Sequence, residues 1–201
     1  MLRRTRLAAA VACCGLLYLA AACGSSTSGG SPTASAKSDT ASNTSSVPNP
    51  LTVTKLMSHP CDALTADQLQ PYLGTVGSRE PDASDPGSWS ACNYHPADTN
   101  QAQVSVLIEP SFGGLANLDQ AGNGWAVRID DIDGYPAEHV SQVGETGPQN
   151  GDCGTTVVVS NSAAINVYVR SSAAGSKYYA NACTPADALV PDVIANLKSK
   201  S

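Results

Sequence analysis

Apolar residues recur at every second position through the middle of the chain and at helical spacing on either side of it. Between 101 and 109, Val104, Val106 and Ile108 alternate with more polar neighbours, which predicts a strand with one buried face. Residues 163–171 repeat the pattern, with Ile165, Val167 and Val169 inward and Asn166, Tyr168 and Arg170 outward. The Val-rich run from Cys153 to Ser160 predicts the preceding strand, with Asn161-Ser162 as the hairpin turn between them. Strands are also predicted at Trp89–Tyr94, Trp125–Ile129 and Tyr135–Val140, the last two flanking an Asp133-Gly134 turn. A helix is predicted over 62–73: Thr65 is a natural N-cap with Gln68 placed for a capping box, and Leu64, Leu69 and Leu73 share a face. Thr184-Pro185-Ala186-Asp187 opens a second helix with an apolar stripe of Leu189, Val193 and Leu197, and Lys198 and Lys200 suit its C-terminal dipole. A small helix is predicted around 115–120, whereas 79–87 reads as turn-rich. This order predicts an α+β fold: a single antiparallel sheet of about five to six strands, with N- and C-terminal helices packed on one face.

The N-terminus has a different character. Arg3, Arg4 and Arg6 precede an apolar stretch from Leu7 to Ala22, the pattern of a secretory signal over residues 1–22. The stretch is shorter than the roughly 20 residues of a spanning helix. Cys23 follows Ala20-Ala21-Ala22, a junction that resembles the lipobox of bacterial lipoproteins, with the Leu of that motif one place early at Leu19. The resemblance implies that the Cys23 thiol carries lipid and that its amine becomes the mature N-terminus. The plainer alternative is a secreted chain cut after an Ala-x-Ala site. Residues 23–50 then read as the lipidated Cys and a disordered Ser/Thr/Gly/Pro tether, with a typical end-to-end distance of roughly 25–30 Å. Residues 51–201 have the size of one domain.

Charge narrows the partners. All 17 acidic residues follow Cys23, whereas three of the 11 Lys and Arg precede it, leaving 8 and a mature net charge near −9. An acidic chain without a basic cluster excludes nucleic acid and direct docking on anionic headgroups, so membrane attachment falls to the N-terminal lipid. The predicted location is the outer face of the cell membrane, lipid-anchored after export.

Seven Cys are encoded; Cys13 and Cys14 leave with the signal and Cys23 takes lipid, so Cys61, Cys92, Cys153 and Cys183 remain. In an exported chain four Cys imply two disulfides, with three pairings open to the sequence. Cys61–Cys92 and Cys153–Cys183 are favoured, because each links the start of a helix to a neighbouring strand. A metal site from His59, Cys61, Cys92 and His95 needs thiolates that oxidation removes, and the spacings miss the usual zinc pattern, so no metal is expected.

Asp130-Asp131-Ile132-Asp133-Gly134 invites a calcium reading, but Ile129 and Val140 would occupy the first and last ligand positions of the loop. No Gly-x-Ser-x-Gly elbow and no phosphate loop are present, and no cofactor is expected. Glu109, Asp131 and Glu138 are the candidate carboxylates for a hydrolytic pair formed across strands. Among the aromatic residues, Tyr168 on its outward position and Tyr178-Tyr179 in the loop before Cys183 are the candidate binding residues.

Pro60-Cys61 with Leu64-Thr65 opening a helix, Ser90-Ala91-Cys92 in a strand, Gly134-Tyr135-Pro136-Ala137 before another, Cys153 entering a Val run and Cys183 opening the last helix form an ordered set. In that set the chain resembles the uncharacterised actinobacterial lipoproteins known as domain of unknown function 3558, with Tyr94 where Trp is commoner. The resemblance spans roughly residues 51–198. It implies an envelope location in a high-GC Gram-positive bacterium and implies no reaction. The functional expectation is a non-catalytic binding or protein-interaction module whose partner is an envelope protein, a glycan or a small ligand. The alternative is a hydrolase acting on envelope polymers, which would require a concave pocket with convergent carboxylates.

Overall fold

The computed structural model describes residues 46–83, 87–118, 125–142 and 150–200. The predicted signal, Cys23 and the tether up to Ser45 lie outside the described residues. In chain order the elements are α1 (Thr54–Ser58), a 3-10 turn (Pro60–Asp62), α2 (Ala66–Leu73), β1 (Val76–Ala83), β2 (Ser90–Pro96), β3 (Gln103–Glu109), a second 3-10 turn (Gly114–Asn117), β4 (Trp125–Ile132), β5 (Tyr135–Ser141), β6 (Asp152–Val158), β7 (Ala164–Arg170) and α3 (Cys183–Lys200).

The seven strands form one antiparallel sheet in the order β1-β2-β3-β7-β6-β5-β4. The count corrects the expected five to six. The added strand is β1, inside the stretch read as turns. Its side chains are exposed beyond Val76, and it carries Arg79, Glu80, Pro81 and Asp82. Those residues are poor in a central strand but suit an edge, where charge and proline block pairing with another chain. At the β4–β5 hairpin, Asp133 and Gly134 both take positive φ, 52° and 81°, as a tight two-residue turn of primed type requires.

Register explains the core. Cys92, Val106, Val167, Thr155 and His139 stand opposite one another across β2, β3, β7, β6 and β5, so they share one face. On this face Cys92 is joined to Cys61, and Thr155 Oγ1 donates to Asp187 of α3 at 2.7 Å. The second disulfide ties Cys153 of β6 to Cys183 at the start of α3. Leu189, Val190, Val193, Ile194 and Leu197 of α3 are buried in the same core as Val104, Val106, Ile108 and Val167. Tyr94 is fully buried, and its hydroxyl accepts from Leu64 N–H at 3.2 Å and donates to the Cys61 carbonyl at 3.3 Å.

Local sequence signals account for the helix ends. Thr65 Oγ1 accepts from Gln68 N–H at 3.3 Å and Gln68 Oε1 accepts from Thr65 N–H at 2.8 Å, the reciprocal capping box. The predicted small helix is a 3-10 turn at Gly114–Asn117, and residues 119–124 lie outside the described residues. The fold also begins earlier than Leu51. Val47 is buried, its N–H donates to Asn161 Oδ1 at 3.0 Å, and Tyr135 donates its hydroxyl to the Asn49 carbonyl at 2.9 Å. Residues 46–50, read as tether, therefore belong to the folded part. No described helix is long and apolar enough to cross a membrane.

Candidate binding cleft

Because side chains alternate, the rows between the core rows face the other way. One such row runs Asp82, Ala91, Leu107, Asn166, Thr156, Glu138 across β1, β2, β3, β7, β6 and β5. The next runs Asn93, Ser105, Tyr168, Gly154, Val140. These rows line a cavity of about 640 Å³, walled in addition by Trp89, Glu109 and Phe112. That volume falls in the range of roughly 300–1,000 Å³ typical of small-molecule sites.

The polar groups of the cleft are ordered in pairs. Ser105 Oγ donates to Asn93 Oδ1 at 2.5 Å, and Asn166 Nδ2 donates to Thr156 Oγ1 at 2.7 Å. Each bond fixes one end of an amide whose residue lines the cavity. At one end of the cleft Asp152 is buried, and four donors hold it. These are Ser141 Oγ at 2.8 Å, Gln142 N–H at 3.1 Å, the Tyr168 hydroxyl, and Arg170 Nε at 3.2 Å. A buried carboxylate persists only when it is paired and hydrogen-bonded in this way. Arg170 also stands 5.4 Å from the Tyr168 ring centroid.

Tyr168 lies against Gly154. A Cβ on that glycine would stand 2.5 Å from Tyr168 Cδ2 and 2.9 Å from Asn166 Nδ2. The missing side chain is what lets the ring lie along the sheet, with its hydroxyl accepting from Gln142 N–H at 3.1 Å. Burial, and next its bond to Asp152, pushes the Tyr168 phenol up to about 12.

The carboxylates are spread out. Glu138 is three strands away from β3, and Glu109 lies two residues beyond Leu107, the residue in the Glu138 row. Strand spacing of about 4.8 Å and a rise of about 3.4 Å per residue place their Cα atoms roughly 16 Å apart. By the same spacing Asp82 and Glu109 are roughly 12 Å apart. Asp131 stands exposed on edge strand β4 and does not line the cavity. Burial raises the Glu109 carboxyl above its ordinary value.

Of the three tyrosines singled out from sequence, only Tyr168 lines the cleft. Tyr178 is engaged elsewhere: its ring meets Tyr72 of α2 at 6.1 Å, and its hydroxyl donates to the Pro71 carbonyl at 3.4 Å. Tyr179 packs its ring over Gly151. Tyr178 and Tyr179 therefore sit away from the cleft that Tyr168 lines. Cys153 and Cys183 come within 4.8 Å of a ring nitrogen of His139, but their sulfurs are joined to each other and offer no thiolate. Asn93, Ser105, Asn166 and Asp152 were not singled out from sequence; their only signal is the polar half of the strand alternation.

Residues 18–196 match the family described as "Protein of unknown function (DUF3558)". No curated protein and no solved structure matches the chain.

Proposed function

The chain belongs to the DUF3558 family of proteins of unknown function, and we propose that it is an actinobacterial cell-envelope lipoprotein whose sheet cleft binds a ligand without transforming it. In this reading lipid on Cys23 holds it at the outer face of the membrane after export. In the same reading the described helices cover the core face of the sheet, and the cleft lies on the opposite face. Its partner is an envelope protein or a glycan, not a nucleic acid.

The observation that carries the reading is the cleft itself. It is concave, lined by ordered amide and hydroxyl pairs and by the aromatic rings of Trp89, Phe112 and Tyr168. A mostly pre-formed pocket with a few fixed polar groups is the usual form of a ligand site. A hydrolase of envelope polymers is the second reading, favoured by the raised Glu109 carboxyl in the cleft. Glycosidase carboxyl groups stand about 5–9.5 Å apart, whereas the Glu109–Glu138 and Asp82–Glu109 Cα atoms are spread roughly 12–16 Å, so neither pair sits side by side on adjacent strands.

Two experiments test the proposal. Cys23→Ala is expected to move the protein from the membrane fraction to the medium; retention on the membrane would refute the anchor. A photo-crosslinking residue at Ser105, in the cleft, is expected to capture an envelope component in intact cells. The same residue at Ser199, exposed on α3, sets the background, and equal capture at both positions would sink the binding reading.

A further inference from the structure

We propose that the ligand of the cleft is a neutral glycan, with the apolar face of one sugar ring on Tyr168 and its hydroxyls on the Asn93–Ser105 and Asn166–Thr156 pairs. The inference rests on the binding reading above and names its ligand class. Three features of the site converge on it.

The first is the platform. A sugar ring has a C–H face that seeks a flat apolar surface, and a tyrosine offers one with a polar handle at its edge. Tyr168 is held against Gly154 and by its hydroxyl bonds to Asp152 and Gln142, and Arg170 stands 5.4 Å from its ring centroid at the edge of the platform. Its immobilisation is met in folding and not on binding, which lowers the entropic cost of association.

The second is the polar pattern. Sugar hydroxyls come as neighbouring groups, each a donor and an acceptor. Asn93 spends its carbonyl on Ser105, which leaves its NH2 as a donor. Asn166 spends an N–H on Thr156, which leaves its carbonyl as an acceptor. The two amides lie in adjacent rows two strands apart, roughly 12 Å between Cα atoms, a span that takes successive units of an oligosaccharide.

The third is charge. Asp82 and Glu109 line the cleft, and the one cation among its described lining residues, Arg170, is bonded to buried Asp152. An anionic ligand, whether a phosphate or a uronic acid, meets net repulsion here. A cationic ligand is not selected either. The carboxylates are spread by roughly 12–16 Å between Cα atoms, so no two are neighbours on adjacent strands. Carboxylates placed singly serve well as acceptors for hydroxyl groups.

The test uses the full-length lipoprotein in detergent micelles, titrated with maltotriose, mannotriose, galactotriose and arabinotriose. Trigalacturonate is the anionic counterpart and trilysine the cationic one. Tryptophan fluorescence reports on Trp89, and nuclear magnetic resonance on the side-chain amides of Asn93 and Asn166. At least one neutral trisaccharide is expected to bind and to shift both amides, with trigalacturonate at least about tenfold weaker. Asn166→Ala is expected to weaken binding by about tenfold, Tyr168→Ala to weaken it at least as much, and Ser199→Ala to leave it unchanged. A thermal melt establishes that each variant is folded; if Tyr168→Ala is not, Asn166→Ala decides alone. The ligand class is overturned if trilysine or trigalacturonate binds more tightly than every neutral sugar, if no neutral sugar binds, or if Asn166→Ala changes nothing. Capture of a protein through Ser105 without any sugar binding overturns the ligand class and keeps the binding reading; loss of both overturns both.

Discussion

The placement of Tyr168 on Gly154 can be tested by a substitution whose sign depends on it. Gly154 has an ordinary strand backbone without positive φ. On backbone grounds alone, Gly154→Ala would stabilise the protein by about 0.4–1 kcal/mol, because alanine has less freedom to lose from the unfolded chain. Packing reverses the sign. The new Cβ would stand 2.5 Å from Tyr168 Cδ2, against a normal carbon contact of roughly 3.5–4.0 Å. The ring must retreat by about 1 Å, and its hydroxyl is held by Asp152 and Gln142. Overpacking costs about 1–3 kcal/mol. If the hydroxyl lets go, a buried carboxylate also loses a donor, at about 1.5–3 kcal/mol. The variant is therefore expected to be destabilised by about 2–4 kcal/mol, a large share of a stability of about 5–15 kcal/mol. Urea unfolding followed by tryptophan fluorescence measures the loss. The double-mutant cycle with Tyr168→Ala isolates the cause, since without the ring the alanine has nothing to strike, and a coupling of about 2 kcal/mol is expected. A neutral or stabilised Gly154→Ala, or a cycle that is merely additive, would refute the geometry.

Other parts of the fold give further expectations. Removing the Cys153–Cys183 bridge with paired alanines opens a loop whose ends lie 30 residues apart, and loop entropy puts the loss at about 3.6 kcal/mol; an unmoved urea midpoint would contradict it. Tyr94→Phe leaves the buried Leu64 N–H without its acceptor and is expected to cost about 1–3 kcal/mol, read as a lowered midpoint at constant slope. For Glu109, burial raises the carboxyl above 4.5, so the folded state holds the proton more tightly than the unfolded chain. That contribution is full below the ordinary value and is lost as pH rises through the raised one. Glu109→Gln is expected to remove this decline, seen in urea midpoints from about pH 4 to 7; an unchanged pH slope would count against it.

The legible and illegible parts of the fold separate by physical cause. Val104, Val106 and Ile108, like Ile165, Val167 and Val169, alternate with polar neighbours because one side of each strand is buried, and alternation is a local signal. The Thr65–Gln68 box is equally local. Strand β1 escapes the same reading because an edge strand with exposed side chains leaves no alternation, and its Gly77 and Pro81 imitate a turn. Helix α1 escapes because it is one short turn with Leu56 as its only buried residue, too little for a helical period. Val47 escapes because its burial depends on Asn161, far away in sequence.

The cleft was legible only in halves. The outward positions of Asn166 and Tyr168 follow from the pattern of β7, and those of Gln103 and Ser105 from the pattern of β3. What no pattern supplies is that β3 and β7 are neighbours, a pairing that joins the third strand to the last and creates the row from Asn93 through Ser105 to Tyr168. The carboxylates show the same limit from the other side. Residue type alone lets Glu109 and Glu138 meet, but the insertion of β7 and β6 between β3 and β5 holds them apart. The hydrogen-bonded ladder fixes their Cα atoms three strand widths apart, so only the reach of both side chains toward each other would bring them onto one bond. The two proposed readings part at this point, because acid–base cleavage needs two carboxyl groups on one bond whereas binding uses each acceptor separately.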